Sequence, residues 1–145
     1  MTKGLAKTPW WFWLITSIYL IWSAFACYHY WLEMSLPQDA YIKAFGEEAA
    51  AIRGLAPWWS VSGYAIGVWG GLVGVIVLIL RRKWCLPFFY ASLAGAVIGW
   101  SWNILDIRFR TLMGAGSWAL MIFIWFECIF IIWFARTLLR KGVIK

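Results

Sequence analysis

Four long apolar runs, separated by short polar segments, dominate the hydrophobic pattern of this chain. They cover residues 10–32, 58–80, 84–105 and 118–139. A helix of about 22 residues is long enough to cross a hydrocarbon core of ~30 Å. Trp or Tyr stands at most ends of these runs, as in the aromatic belts of membrane proteins. The pattern therefore predicts an all-α integral membrane protein, a four-transmembrane-helix bundle that forms a single domain over residues 1–145.

The segment between the first two runs has an amphipathic pattern instead. After Pro37, apolar residues recur at helical spacing while charged residues occupy the other faces; the apolar ones are Tyr41, Ala44, Phe45, Ala49 and Ile52. Gly54 and Pro57 end this pattern before the second span. We therefore predict one short amphipathic helix, about residues 38–53, in the first outer loop.

The basic residues are distributed unevenly between the two ends of the spans. Nine belong to one side: Lys3, Lys7, Arg81, Arg82, Lys83, Arg136, Arg140, Lys141 and Lys145. Four belong to the other: Lys43, Arg53, Arg108 and Arg110. By the positive-inside rule, the richer side is cytoplasmic, which puts both termini on the cytoplasmic side of the membrane. Because the net charge of +7 is explained by these span ends, no nucleic-acid partner is expected.

Composition supports a membrane location, and the sequence predicts neither a disulfide nor a cleaved signal peptide. Apolar residues make up 64% of the chain and charged residues 13%, which leaves too little polar surface for a soluble domain. The three cysteines, Cys27, Cys85 and Cys128, fall at three different depths, so no disulfide is predicted. The motif from Ala24 to Cys27 resembles a signal cleavage site, but the apolar run continues to Leu32, so the first span is expected to be retained.

Small residues recur every four positions in the second and third spans. The second span carries Gly63, Gly67 and Gly71, and the third carries Ala91, Gly95 and Gly99. The short connection between these spans makes them antiparallel neighbours, in which Gly63 and Gly99, Gly67 and Gly95, and Gly71 and Ala91 have similar depths. Such ridges allow two helices to pack closely. The alternative is that one ridge faces a partner protein or a flat ligand.

Several short motifs are spread along the chain: Ile21-Trp22-Ser23, Pro57-Trp58, the runs from Val68 to Gly74 and from Leu80 to Trp84, Pro87 and Ser92-Leu93. With these motifs the chain resembles a family of small bacterial four-span inner-membrane proteins, whose members are often labelled sugar transporter, and this resemblance implies a bacterial cytoplasmic membrane. The resemblance covers most of the chain and is weakest in the last third. This chain has Ser23 where members tend to have asparagine. The resemblance implies the same fold and membrane, and no particular chemistry.

Glu127 is the most informative single residue, because it lies ten residues into the fourth span, near the middle of the bilayer. A charged group there costs about 2.5–3.5 kcal/mol on insertion scales if it faces lipid. We therefore expect it to point into the bundle, with Tyr19, Trp22, Ser23 and Trp69 at matching depth. It is either a site for proton coupling or for a cationic ligand, or a protonated carboxyl group that is hydrogen-bonded between helices.

Two further groups of polar residues lie toward the outer ends of the spans. His29 and Glu33 share one helix face, so His29 is a candidate ligand for haem or a chlorophyll-type pigment, or else one half of an interfacial ion pair. Asp106, Arg108 and Arg110 are expected near Glu33, as an outer polar cluster that binds an anionic headgroup or forms a salt-bridge network. With a single histidine, a multi-histidine metal site is not expected.

Three functions fit these features, and the sequence identifies no cofactor or ligand. No soluble-enzyme motif is present, and nearly the whole chain is membrane span or short loop, so the leading hypothesis is a non-enzymatic accessory subunit of a larger membrane complex or homo-oligomer. The second is a small carrier or binding protein for a hydrophobic or cationic ligand around Glu127. The third is a pigment- or haem-binding subunit that uses His29. The 14 tryptophans exceed what two belts need and fit all three hypotheses.

Overall fold

The computed structural model describes residues 6–112 and 114–145, which are helical apart from short connections. The helices are α1 (Trp10–Ser35), α2 (Gln38–Phe45), α3 (Glu47–Leu55), α4 (Trp58–Ile79), α5 (Cys85–Leu105), α6 (Ile107–Leu112) and α7 (Ala115–Arg140). Four of them, α1, α4, α5 and α7, are long and apolar enough to cross a membrane. The prediction of a four-helix membrane bundle is confirmed, and the first and last spans are each several residues longer than predicted.

Helices α4 and α5 form the closest pair in the bundle, and their glycines explain why. A Cβ atom added to Gly95 would lie 2.5 Å from the Gly67 backbone nitrogen, and one added to Gly63 would lie 2.7 Å from the Gly99 nitrogen. Real Cβ atoms do not come this close, so the two backbones touch only because these positions carry no side chain. The predicted pairing of Gly63 with Gly99 and of Gly67 with Gly95 is confirmed.

The third predicted pair, Gly71 with Ala91, is wrong. Ala91 is exposed, and Gly71 faces Ser92 instead, whose Oγ lies 3.3 Å from an added Cβ atom. Steps of four residues advance about 40° beyond a full helical turn, so two such steps from Gly99 rotate Ala91 away from the contact. The next residue, Ser92, takes its place.

Helix α1 packs along α4, and α7 packs along α5. Between α1 and α7 aromatic rings make the contact: the centroids of Trp11 and Phe134 are 5.8 Å apart, and those of Trp22 and Phe123 are 5.4 Å apart. Helices α1 and α7 therefore meet through their side chains and not through close backbone contact.

The chain termini and the α4–α5 loop meet at one end of the bundle, here called the terminal end. Gly142, with a φ of 68°, ends α7 and turns the chain back, so that residues 143–145 run along the α4–α5 loop. The Lys145 amide donates to the Arg81 carbonyl (3.0 Å), and the Lys83 amide donates to the Lys145 carbonyl (2.9 Å). The Arg81 side chain donates to the carbonyls of Val143 (2.8 Å) and Ala6 (2.6 Å). These bonds hold Arg81 in the left-handed region, at a φ of 60°, and seal this end.

The half of the bundle next to the terminal end, the terminal half, is densely packed. A single buried cluster fills it, with members from all four spans that include Phe12, Val75, Leu78, Phe89, Ile131 and Leu138. Each of these six side chains is almost completely buried.

The opposite, distal half of the bundle is covered by α2 and α3, which together form its roof. The predicted single amphipathic helix over residues 38–53 is broken at Gly46, whose φ of 92° is left-handed and incompatible with a continuous helix. Arg53 attaches the roof to the end of α1, donating to the carbonyls of Leu36 (3.2 Å) and Met34 (3.5 Å). Its guanidinium also lies 4.4 Å from the centroid of the Tyr41 ring. Burial raises the pKa of Tyr41, so this ring remains a neutral partner for the cation.

Candidate ligand cavity

A cavity of about 570 Å³ occupies the distal half of the bundle, between the roof and the packed cluster of the terminal half. Residues of α1, α2, α3, α4, α5 and α7 line it. A volume of this size lies within the range of small-molecule sites, about 300–1,000 Å³. The same four spans thus enclose a dense core at one end and a hollow at the other.

Polar side chains from three spans, together with a glycine from α4, converge at the inner end of this cavity, which we call the floor. Its members are Tyr19 and Ser23 from α1, Gly71 from α4, Ser92 from α5, and Glu127 and Cys128 from α7. A Cβ atom on Gly71 would lie 3.7 Å from the Tyr19 hydroxyl and 3.8 Å from the Ser23 hydroxyl. These are ordinary contact distances, so Gly71 lies directly against the two hydroxyl groups. Ser92 donates to the Gly67 carbonyl (2.6 Å), so its proton is already used within the protein.

Among the described residues, Glu127 supplies the only carboxyl group at the floor, and one of its two oxygens has no hydrogen-bond partner. Oε1 accepts a long contact from the Cys128 thiol (3.7 Å). Oε2 is buried and has no hydrogen-bond partner within residues 6–112 and 114–145. The Tyr19 hydroxyl and the Trp22 indole approach the carboxyl group from α1 without completing a bond to Oε2. A buried polar atom without a partner is costly, so this oxygen is suited to a group that enters the cavity.

Of the four residues expected near Glu127, three line the cavity and one does not. Tyr19, Trp22 and Ser23 line the cavity, as expected from their depth. Trp69 does not, because it lies on the outer face of α4 with 47% of its surface exposed. Depth alone did not separate the two faces of α4: the adjacent Val68 lines the cavity, while Trp69, one residue or about 100° further round the helix, turns outward.

At the distal end of the cavity, two side chains of α5 offer unused hydrogen-bonding groups. The indole Nε1 of Trp102 is buried and has no partner among the described residues. Asn103 also lines the cavity, and the described part of the chain supplies no hydrogen bond to its amide. By contrast, the nearby Ser60 hydroxyl is occupied, since it donates to the Gly99 carbonyl (2.8 Å).

His29 and Glu33, as predicted, form a pair on one face of α1, at the mouth of the same cavity. The distance from His29 Nδ1 to Glu33 Oε1 is 3.4 Å, and the Tyr64 hydroxyl lies 3.4 Å from the same nitrogen. The His29 side chain is 40% exposed. This arrangement connects α1 to α4 at the mouth, and within the described chain no group of three or more potential metal ligands surrounds it.

Two members of the predicted outer polar cluster, Asp106 and Arg108, lie together. Asp106 pairs with Arg108 at 2.8 Å and also accepts the Arg108 backbone amide at 2.9 Å, so it caps the start of α6. Glu33 lies instead with His29 on α1. The helix α6, which the sequence did not predict, begins at this turn, and Arg110 lies on it and is exposed. The binding of an anionic headgroup by these residues stays a prediction.

The charge balance of the cavity favours a cation. Its lining contains three carboxyl groups, from Glu33, Glu48 and Glu127, against the single guanidinium of Arg53, which already binds carbonyl groups of α1 and its C-terminal cap. Aromatic side chains also line the cavity; they are Tyr19, Trp22, Tyr41, Phe45, Tyr64, Trp100 and Trp102. Aromatic faces attract cations and also supply large apolar contact areas.

Comparisons with family models, with curated proteins and with solved structures found no match. The fold and the cavity therefore carry the functional argument on their own.

Sequence reasoning missed Ser92, Trp102 and Asn103 as parts of the cavity. Asn103 could have been noticed, because an uncharged amide near the end of an apolar span has few partners in lipid. No comparable signal exists for Ser92, which is found only once the rotation of α5 against α4 is known.

Proposed function

We propose that this chain is a binding protein for a small amphiphilic cation in a bacterial cytoplasmic membrane. The apolar part of the ligand fills the cavity, and its charged group meets Glu127. The observation that carries this proposal is the cavity of about 570 Å³ whose floor contains Glu127, a residue with a buried carboxyl oxygen that has no hydrogen-bond partner among the described residues. The excess of carboxyl groups over free cations and the aromatic lining support a positively charged ligand.

The membrane and the orientation are part of the same proposal. The nine basic residues on the terminal side support a cytoplasmic location for both termini, whose proximity is fixed by the bond from the Ala6 amide to the Gly142 carbonyl (3.1 Å). In this orientation the roof and the cavity mouth face the outside. We place ligand binding ahead of the accessory-subunit and pigment-binding hypotheses because a cavity lined by carboxyl groups and aromatic rings supports it.

The test is calorimetric titration of dodecylamine into the protein in lipid nanodiscs, with empty nanodiscs as the baseline for partitioning. We expect saturable binding at one site. Glu127→Gln keeps the shape of the side chain and removes its charge, so it should weaken binding at least about tenfold, equivalent to ~1.4 kcal/mol. Dodecanol, which has the same chain but no charge, should bind the parent and this variant within about twofold of each other.

The matched control is Glu47→Gln, the same substitution at an exposed residue of α3 that does not line the cavity. It should bind dodecylamine like the parent. Heat equal to that of empty nanodiscs, or equal affinity of the parent and Glu127→Gln, would show that Glu127 is not a ligand-binding group.

A further inference from the structure

We propose, building on the function above, that the ligand is polar at both ends: a cationic group meets Glu127, and a hydrogen-bond acceptor about 15 Å away meets Trp102 and Asn103. The ligand is therefore an elongated, chain-like molecule, such as an amine linked through an apolar chain to an ester or amide carbonyl. This narrows the ligand class from any amphiphilic cation to one with a second polar end.

The distal groups call for an acceptor. The Trp102 indole can only donate a hydrogen bond, and its nitrogen is buried without a partner among residues 6–112 and 114–145. Asn103 follows it on α5 and can donate through its amide nitrogen. A carbonyl oxygen has two lone pairs and can accept from both side chains, which would satisfy the buried indole.

The floor calls for a donor. Glu127 Oε2 is an acceptor when ionised, and Tyr19 and Trp22 line the cavity beside it. Aromatic rings attract ammonium groups, so these neighbours suit a cationic group. The floor thus needs a hydrogen-bond donor and the distal end needs an acceptor. A ligand with a donor at one end and an acceptor at the other therefore binds in one orientation only.

The separation between the two ends follows from α5, which contributes to both. Ser92 lies at the floor, and Trp102 lies ten residues further along the same helix, which corresponds to about 15 Å. Between them the lining is apolar or small, with Val68, Ala96 and Ile124 among its members. An extended chain advances about 1.2 Å per bond, so roughly twelve bonds span this distance.

The experiment compares two probes, dodecylamine and the methyl ester of 12-aminododecanoic acid, in the same calorimetric titration. Both carry the amine and an apolar chain, and only the second carries a carbonyl group at the other end. We expect the ester to bind the parent protein at least about fivefold more tightly than dodecylamine. In Asn103→Leu and in Trp102→Phe, which retains an aromatic ring, the ratio of the two affinities should fall toward one.

Ser101→Ala is the control, since Ser101 lies next to Trp102 on α5 but is not part of the cavity lining, and its hydroxyl donates within its own helix. It should keep the parent ratio. The proposal of a ligand with two polar ends would be contradicted if the parent bound the two probes with equal affinity. It would also be contradicted if the ratio of the two affinities stayed at the parent value in both Asn103→Leu and Trp102→Phe. Either result would leave the proposed function intact. If neither probe binds in a way that depends on Glu127, the proposed function fails as well.

Discussion

The two halves of the bundle differ in what the same helices enclose, and α7 shows the difference most clearly. Ile131 is 1% exposed within the packed cluster of the terminal half. Ile124, seven residues earlier and on nearly the same face of the helix, lines the cavity of the distal half. A similar side chain in the same helix therefore serves as core at one level and as the wall of a cavity at the other.

Glycines and tail contacts explain why only one half is dense. In the terminal half, Gly74 accommodates the Phe89 ring, whose nearest atom would lie 2.6 Å from an added Cβ atom, and the tail after α7 closes the end. In the distal half, α2 and α3 cover the helix ends without filling the space beneath them. Dense packing of both halves would make the bundle more stable. The cavity in the distal half is therefore better explained by ligand binding than by stability.

The largest effect is expected where both halves depend on the same contact, between α4 and α5. Gly95→Leu puts a branched side chain where even a Cβ atom would lie 2.5 Å from backbone. We expect the folded bundle to be lost, because the two helices cannot reach their native spacing. Circular dichroism and size-exclusion chromatography in detergent measure this.

Gly116→Leu is the matched control, because nothing lies within 4 Å of its added Cβ atom, and it should fold like the parent. A stable, monodisperse Gly95→Leu protein would mean that α4 and α5 are not in contact at this position.

A smaller effect should separate the halves directly. Ile131→Ala leaves a void in the dense cluster and should lower the free energy of unfolding by about 2 kcal/mol. This value is at the low end of the range for replacing a large buried side chain by alanine, because lipid is as apolar as the core and burial in the bundle gains less than it does in water. Ile124→Ala only enlarges an existing cavity and should cost less than about 1 kcal/mol. Denaturation in mixed micelles compares the two variants. Equal losses would mean that the distal half is packed as densely as the terminal half.

A local effect, confined to α2 and α3, is expected at the roof. Arg53→Gln removes the guanidinium that bonds to the carbonyls of Met34 and Leu36 and lies over Tyr41, which should weaken the roof by about 1 kcal/mol. Hydrogen exchange should become several-fold faster in α2 and α3 and stay unchanged in α4. Lys43→Gln, at an exposed residue of α2, is the control. Unchanged exchange in the roof would show that Arg53 does not hold it.

The sequence predicted the spans and the closest helix pair because those depend on local patterns. Apolar length defines a span, and repeated small residues define a ridge, so Gly67 and Gly95 were paired correctly. The cavity depends on helix rotation and on packing between α1 and α7, neither of which a pattern of residues encodes directly. Glu127 was found because of its chemistry, whereas Trp69 was misplaced because its depth says nothing about the direction in which it points.

The most direct test of the hollow distal half uses the pair of isoleucines on α7. In a background with Cys27, Cys85 and Cys128 replaced by alanine, Ile124→Cys and Ile131→Cys are exposed in turn to N-ethylmaleimide in nanodiscs. We expect the cysteine at 124 to react at least about tenfold faster than the one at 131, and we expect dodecylamine to slow the reaction at 124 only. Equal rates at the two positions, or a rate at 124 that dodecylamine does not change, would contradict a ligand-accessible cavity that leads to Glu127.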